Sequence, residues 1–205
     1  MAIVINGSGT VTGLAVGGLP DGTVDAGTLA TNSVDSAELI DGAIDASHMA
    51  SGFTGKVVQV VNVQDGAVAT GTTTMVADNS IPQNTEGNEF MTLAVTPTNA
   101  SNNLRIDVSC IVSVPVAAQW LSVALFQDST ANALSGILEI YAHTNNDVGS
   151  FHLTHWMAAG TTSATTFKVR AGTSAAGTVT FNGRSGSQYF AGVMASSITI
   201  TEYEG

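Results

Sequence analysis

Two rhythms divide this chain. From Lys56 onward, apolar and polar residues alternate in short runs separated by clusters of Gly, Ser, Thr, Asn and Asp, the period of half-buried strands rather than of helices. Leu104, Ile106 and Val108 alternate with Arg105, Asp107 and Ser109, and Ile198 and Ile200 alternate with Thr199 and Thr201. Each such run offers one face to a core and one to solvent. Candidate strands cover 57–63, 73–77, 90–95, 104–114, 120–127, 137–143, 151–157, 165–170, 178–182, 189–195 and 197–203. Their spacing predicts an antiparallel β-sandwich or jelly roll over 56–205, with Pro82, Pro97 and Pro115 at strand ends or in loops, where a missing N–H does no harm.

Residues 1–55 follow a longer period. Between 21 and 50 the sequence repeats every ten residues without a gap, as DGTVDAGTLA, TNSVDSAELI and DGAIDASHMA. Val24, Val34 and Ile44 share one position, Asp25, Asp35 and Asp45 the next, and Leu29, Leu39 and Met49 the position five beyond the aliphatic one. Each unit reads as a strand fragment and one helical turn, with the Asp as N-cap; Asp35 with Glu38 three residues on resembles a capping box. Two aliphatic anchors per unit cannot bury themselves, so a partner surface is implied. Either three copies of the arm wind together over Val24, Leu29, Val34, Leu39, Ile44 and Met49, or the arm lies on another protein. A calcium ladder is the alternative use of regularly spaced carboxylates, although such loops gather several acids close together.

The expected fold class is therefore all-β: an extended N-terminal repeat arm (1–55) followed by an antiparallel β-sandwich/jelly-roll domain (56–205). Composition narrows the function. Charged residues are 10% of the chain, and 16 acidic against five basic ones give a net charge of -11, which repels a phosphate backbone. Nucleic acid is not an expected partner. The apolar start of five residues lacks a basic flank and runs into Asn6-Gly7, so no signal peptide is expected, and no stretch is long enough for membrane insertion. Synthesis in a cytoplasm is expected. The single Cys110 has no partner for an intrachain disulfide and reads as a buried strand residue.

Candidate chemistry is thin, and neither a catalytic site nor a cofactor is expected. His143, His152 and His155 fall close together, but on one strand His152 and His155 face opposite sides and cannot chelate jointly. Gly7, Gly9 and Gly13 lack the spacing and the Lys of a phosphate loop. No G-x-S-x-G elbow is present. Glu89, Asp107 and Glu139 are the acids from which a glycosidase-like pair would have to be drawn. Trp120, Tyr141, Trp156 and Tyr189 are candidate sugar or receptor contacts, though aromatics in a small sandwich more often fill the core. Loops 144–150 and 182–188 are the better recognition candidates, with Asn145, Asn146, Asp147, Arg184, Ser185 and Gln188 exposed on them.

The stretches INGSGTVTGLAVGGLPDGTV, GKVVQVV, TPTNASNNLRIDV, TTSATTFKVRAG and SSITITEYEG resemble a family of tail-fibre-like virion proteins of aquatic, marine or cyanobacterial, bacteriophages over nearly the whole chain. The Asp-rich repeat and the scarcity of charge depart from that pattern. The resemblance implies a homotrimer whose knob looks like the jelly-roll, tumour-necrosis-factor-like heads of viral fibres, and it brings no catalytic residues. The expectation is a non-enzymatic protein on the virion surface, foremost a short tail fibre or adhesin whose arm binds other virion proteins of the tail or capsid while the knob meets a host surface glycan or receptor. A capsid decoration (cement) protein clamping neighbouring subunits is the alternative, and a polysaccharide depolymerase the remote one.

Overall fold

The computed structural model describes residues 56–114, 116–141 and 144–205, with only the backbone at 139–141. Twelve strands follow one another: β1 (Val57–Asp65), β2 (Ala69–Gly71), β3 (Asn88–Val95), β4 (Asn103–Ser113), β5 (Trp120–Gln127), β6 (Ser135–Tyr141), β7 (Val148–Ala158), β8 (Thr165–Thr173), β9 (Val179–Phe181), β10 (Gly183–Arg184), β11 (Ser187–Gln188) and β12 (Ser196–Tyr203). Every pairing among them is antiparallel.

Two sheets form the sandwich. The larger has β4 at its centre, β7 along one side, and β12 then β9 along the other; β1 extends it beyond β12 and β2 beyond β9. The smaller runs β3-β8-β5-β6, and β10 and β11 make a separate hairpin. The period-two alternation explains the layering. Leu104, Ile106, Val108, Cys110 and Val112 of β4, Phe151 and Leu153 of β7, and Ile198 and Ile200 of β12 point into one core, where they meet Leu121, Leu125, Phe167 and Val169 of the smaller sheet. Each of these large side chains contributes roughly 1.5–3 kcal/mol by leaving water.

Two expected strands are absent. Residues 73–77 run as irregular chain over the outer face of the smaller sheet, where the Met75 N–H donates to Thr173 O at 2.9 Å. Met75 there packs on Ala124 and Phe126 as a second, small core. β5 is consequently buried on both faces, and its near-continuous apolar run WLSVALFQ reflects this cover rather than a one-sided strand. Gly172 on β8 permits the overlap, because a Cβ there would lie 2.7 Å from Thr73 O and 2.9 Å from Met75 N. Residues 189–195 are likewise no strand but hold a single 3-10 turn at Phe190–Gly192, with Phe190 and Ala191 at φ 50° and 52°. Of the loop expected at 144–150, residues 148–150 belong to β7.

Candidate functional site

The sandwich has two distinguishable poles. At one pole the chain enters at Lys56, whose carbonyl accepts a hydrogen bond from the Glu204 N–H at 2.9 Å. Glu202, fully buried at the end of β12, gathers this pole. Its carboxylate accepts from the Gln59 amide, from the Thr98 N–H and hydroxyl at 2.8 Å each, and from the Asn102 amide at 2.6 Å. Burial alone would push this carboxyl up; the hydrogen bonds from Gln59, Asn102 and Thr98 outweigh it and hold the group at about 2.

At the other pole lie the loops expected to face outward. The Arg184 guanidinium donates to the Asn146 carbonyl at 2.8 Å, so 144–147 and the β10–β11 hairpin, far apart in sequence, meet in space. Ser185 (φ 55°) and Gly186 (φ 72°) turn that hairpin in the left-handed region, as a two-residue hairpin loop requires. The Thr144 N–H donates to the Asp147 carboxylate at 2.9 Å, which stiffens the neighbouring loop. Asn145, Ser185 and Gln188 are exposed and Asn146 and Asp147 half-buried. Beside them Phe190 and Val193 stand 76% and 82% exposed, a protrusion that the strand expected there would not have produced.

Beneath this pole sits Asn182, fully buried at φ 54°. Its amide donates to Asp65 O at 2.7 Å and Ala67 O at 3.2 Å, and its oxygen accepts from the Ser196 hydroxyl at 2.6 Å. Sequence reasoning placed Asn182 where the candidate strand 178–182 meets the loop 182–188; its only visible signal was an Asn before Gly at a strand end.

The outer face of the larger sheet is a third feature. Strand register aligns Asn62, Thr199, Asp107 and Thr154 in one row across β1, β12, β4 and β7, and Val60, Thr201, Arg105 and Trp156 in the next. Asp107 accepts from Arg105 Nε at 3.1 Å and from the Thr154 hydroxyl at 2.7 Å, and its other oxygen lies 2.9 Å from Arg105 Nε. Arg105 is raised above its ordinary range by the hydrogen bond and charge of Asp107, then by Tyr203. Trp156 leans across to stack on Tyr203, with ring centres 5.2 Å apart, and the Arg105 guanidinium lies 5.8 Å from its ring centre. A cleft of about 160 Å³ opens beside this group, lined by Asp107, Ser109, His152, Thr154, Ser197 and Thr199.

Aromatics expected to fill the core are instead on the surface: Trp120, Trp156 and Tyr189 are all exposed. The core is made of Phe126, Phe151, Phe167 and Phe181 with aliphatic residues, since only phenylalanine can be buried there without a polar tip to satisfy. A second cleft, of about 430 Å³ between Val76, Ile81 and Leu138, had no sequence signal.

As expected of alternate strand positions, His152 is exposed and His155 turned inward, where burial lowers its pKa. His143, Pro115 and the side chains of Glu139 and Tyr141 lie outside the described residues, as does the whole arm with Val24, Leu29, Val34, Leu39, Ile44, Met49, Asp25, Asp35 and Asp45. No group of three or more metal-ligating side chains occurs among the described residues. Glu89 and Asp107 are not brought together. Glu89 faces outward from the smaller sheet, 3.6 Å from Lys168 and from Arg170, while Asp107 faces outward from the larger. Cys110 is buried, which pushes its thiol up to about 12 and leaves it unreactive. No helix among the described residues is long and apolar enough to cross a membrane.

No protein-family model matches the chain, and no curated protein does. Among solved structures, the VP2 subviral particle of infectious bursal disease virus is similar at 11% identity and a TM-score of 0.36, over 71% of this chain and 37% of that one. A dimeric latent PorU from Porphyromonas gingivalis is similar at 9% identity and a TM-score of 0.35, over 73% of this chain and 13% of that one. The chain spans well under half the length of either, and at these scores neither likeness carries an argument.

Proposed function

We propose that this chain is a non-enzymatic structural protein of a bacteriophage particle, a homotrimeric surface appendage of the short tail fibre or adhesin kind. Residues 1–55 anchor it to other virion proteins, and residues 56–205 are held outward against a host surface glycan or receptor. One observation carries this proposal: the domain has a polarity. The chain enters at Lys56 beside the Glu202 cluster, while the loops around Asn146 and Arg184 and the exposed Phe190 and Val193 lie toward the opposite end of β1. Eight steps of roughly 3.3 Å separate the two ends of that nine-residue strand, about 26 Å. An appendage needs this separation of anchorage from contact. The unburied aliphatic positions of the ten-residue repeat support the anchoring half, because they require a surface outside their own unit.

Imaging of intact particles tests the proposal. Density for this chain confined to the tail is expected. Density spread over the whole shell would overturn the fibre assignment in favour of capsid decoration. A chain lacking residues 1–50 should keep its folded domain and fail to enter particles; normal incorporation of that variant would refute the anchoring role.

A further inference from the structure

The outer face of the larger sheet carries a feature distinct from the loops around Asn146 and Arg184. We propose that the outer face of the larger sheet binds a neutral glycan, with the Trp156 ring as its stacking platform and the Asp107 carboxylate as its hydroxyl anchor. This goes beyond the appendage proposal, because the site lies on the face of the larger sheet and not on the loops around Asn146 and Arg184.

Four properties select this ligand. First, the indole is 54% exposed although its orientation is already held by Tyr203 at 5.2 Å and Arg105 at 5.8 Å, so a ligand orders little on arrival. The part of the ring that Tyr203 and Arg105 leave open suits the C–H face of a pyranose ring. Second, Asp107 is fixed by Arg105 and by the Thr154 hydroxyl at 2.7 Å, yet a carboxylate offers about four acceptor positions, leaving some for a vicinal hydroxyl pair. Third, the cleft of about 160 Å³ beside Asp107 is lined by Ser109, His152, Thr154, Ser197 and Thr199 together with Val108 and Leu153, a mixture of hydroxyl and apolar surface that suits the two kinds of face on a sugar. Fourth, the charge of Arg105 is matched by Asp107 at 2.9 Å, and the chain carries a net charge of -11. A sulfated or uronic polysaccharide therefore meets repulsion, as does nucleic acid.

The test uses the purified full-length chain. Calorimetric titration is run with neutral oligosaccharides built on glucose, mannose, galactose and N-acetylglucosamine, with dextran sulfate as the anionic comparator. Saturable binding of at least one neutral series and none of dextran sulfate is expected. Trp156→Ala and Asp107→Asn should each weaken it by about tenfold or more, whereas Trp156→Phe keeps most of the affinity and Trp120→Phe leaves it unchanged. Thermal unfolding of these variants should stay near that of the parent, since both side chains reach solvent. The proposal is overturned by the absence of saturable neutral-sugar binding at millimolar ligand, by binding indifferent to Trp156→Ala, or by a changed sedimentation of Trp156→Ala, which would assign the face to a second copy of the chain. Because the appendage proposal is tested on particles, either can fail alone.

Discussion

Two buried polar side chains, Asn182 and Glu202, do work that hydrophobic packing cannot, because each collects hydrogen bonds from segments distant in sequence. Asn182→Ala removes both amide donors and the acceptor for Ser196 and leaves alanine at φ 54°, so a loss of about 3 kcal/mol is expected in denaturant unfolding. Asn182→Gly relieves only the backbone part and should lose less. Glu202 adds an acid dependence. Its folded pKa, about 2, lies below the ordinary glutamate value of about 4.3. Its contribution is thus fully present above the ordinary value and fades as pH falls from there toward 2. Glu202→Gln replaces one acceptor oxygen by an NH2 donor among groups that themselves donate, those of Gln59, Thr98 and Asn102, should cost roughly 3 kcal/mol near neutrality, and should flatten the acid limb of a stability-versus-pH curve. An unchanged limb would assign the acid sensitivity to other carboxylates.

At the scale of elements, alternation was a sound guide wherever a strand has one wet face: β4, β7, β8 and β12 all fall close to their expected limits. It failed where a third layer intervenes. The run 73–77 has strand-like residues, but its apolar Met75 faces Phe126 on the outside of a sheet instead of joining a ladder. Nothing local distinguishes the two, since the deciding contact is with a strand about fifty residues later. The site was legible in part for the same reason. Asn145, Asn146, Asp147, Arg184 and Gln188 could be placed on outward loops from their turn chemistry, but the meeting of Arg184 with Asn146, and of Trp156 with Tyr203, depends on strand order. Gly172 offers a test of the overlying segment. Gly172→Val would drive Thr73 and Met75 off β8, and a lowered unfolding midpoint worth at least about 2 kcal/mol is expected; an unchanged midpoint would mean that the 72–87 cover is dispensable.

For the molecule as a whole, the repeat and the sandwich make separable predictions. If Val24, Val34 and Ile44 are buried among three arms, the full-length chain should sediment at three times its 20.8 kDa at micromolar concentration, and a chain lacking residues 1–50 as a folded monomer. Monomeric sedimentation of the full-length chain would sink the trimer.

The placement of β12 also governs how the domain can be made. The strand inserts between β1 and β4, so β1 takes its one ladder partner among the described residues from a strand that begins 139 residues after Val57. Until then β4 is bare along Asn103–Ser109 on that side and β1 lacks the strand it pairs with, and closing so long a loop is slow. The sheet therefore closes only once β12 has been made, and a chain cut short before Ser196 cannot complete it.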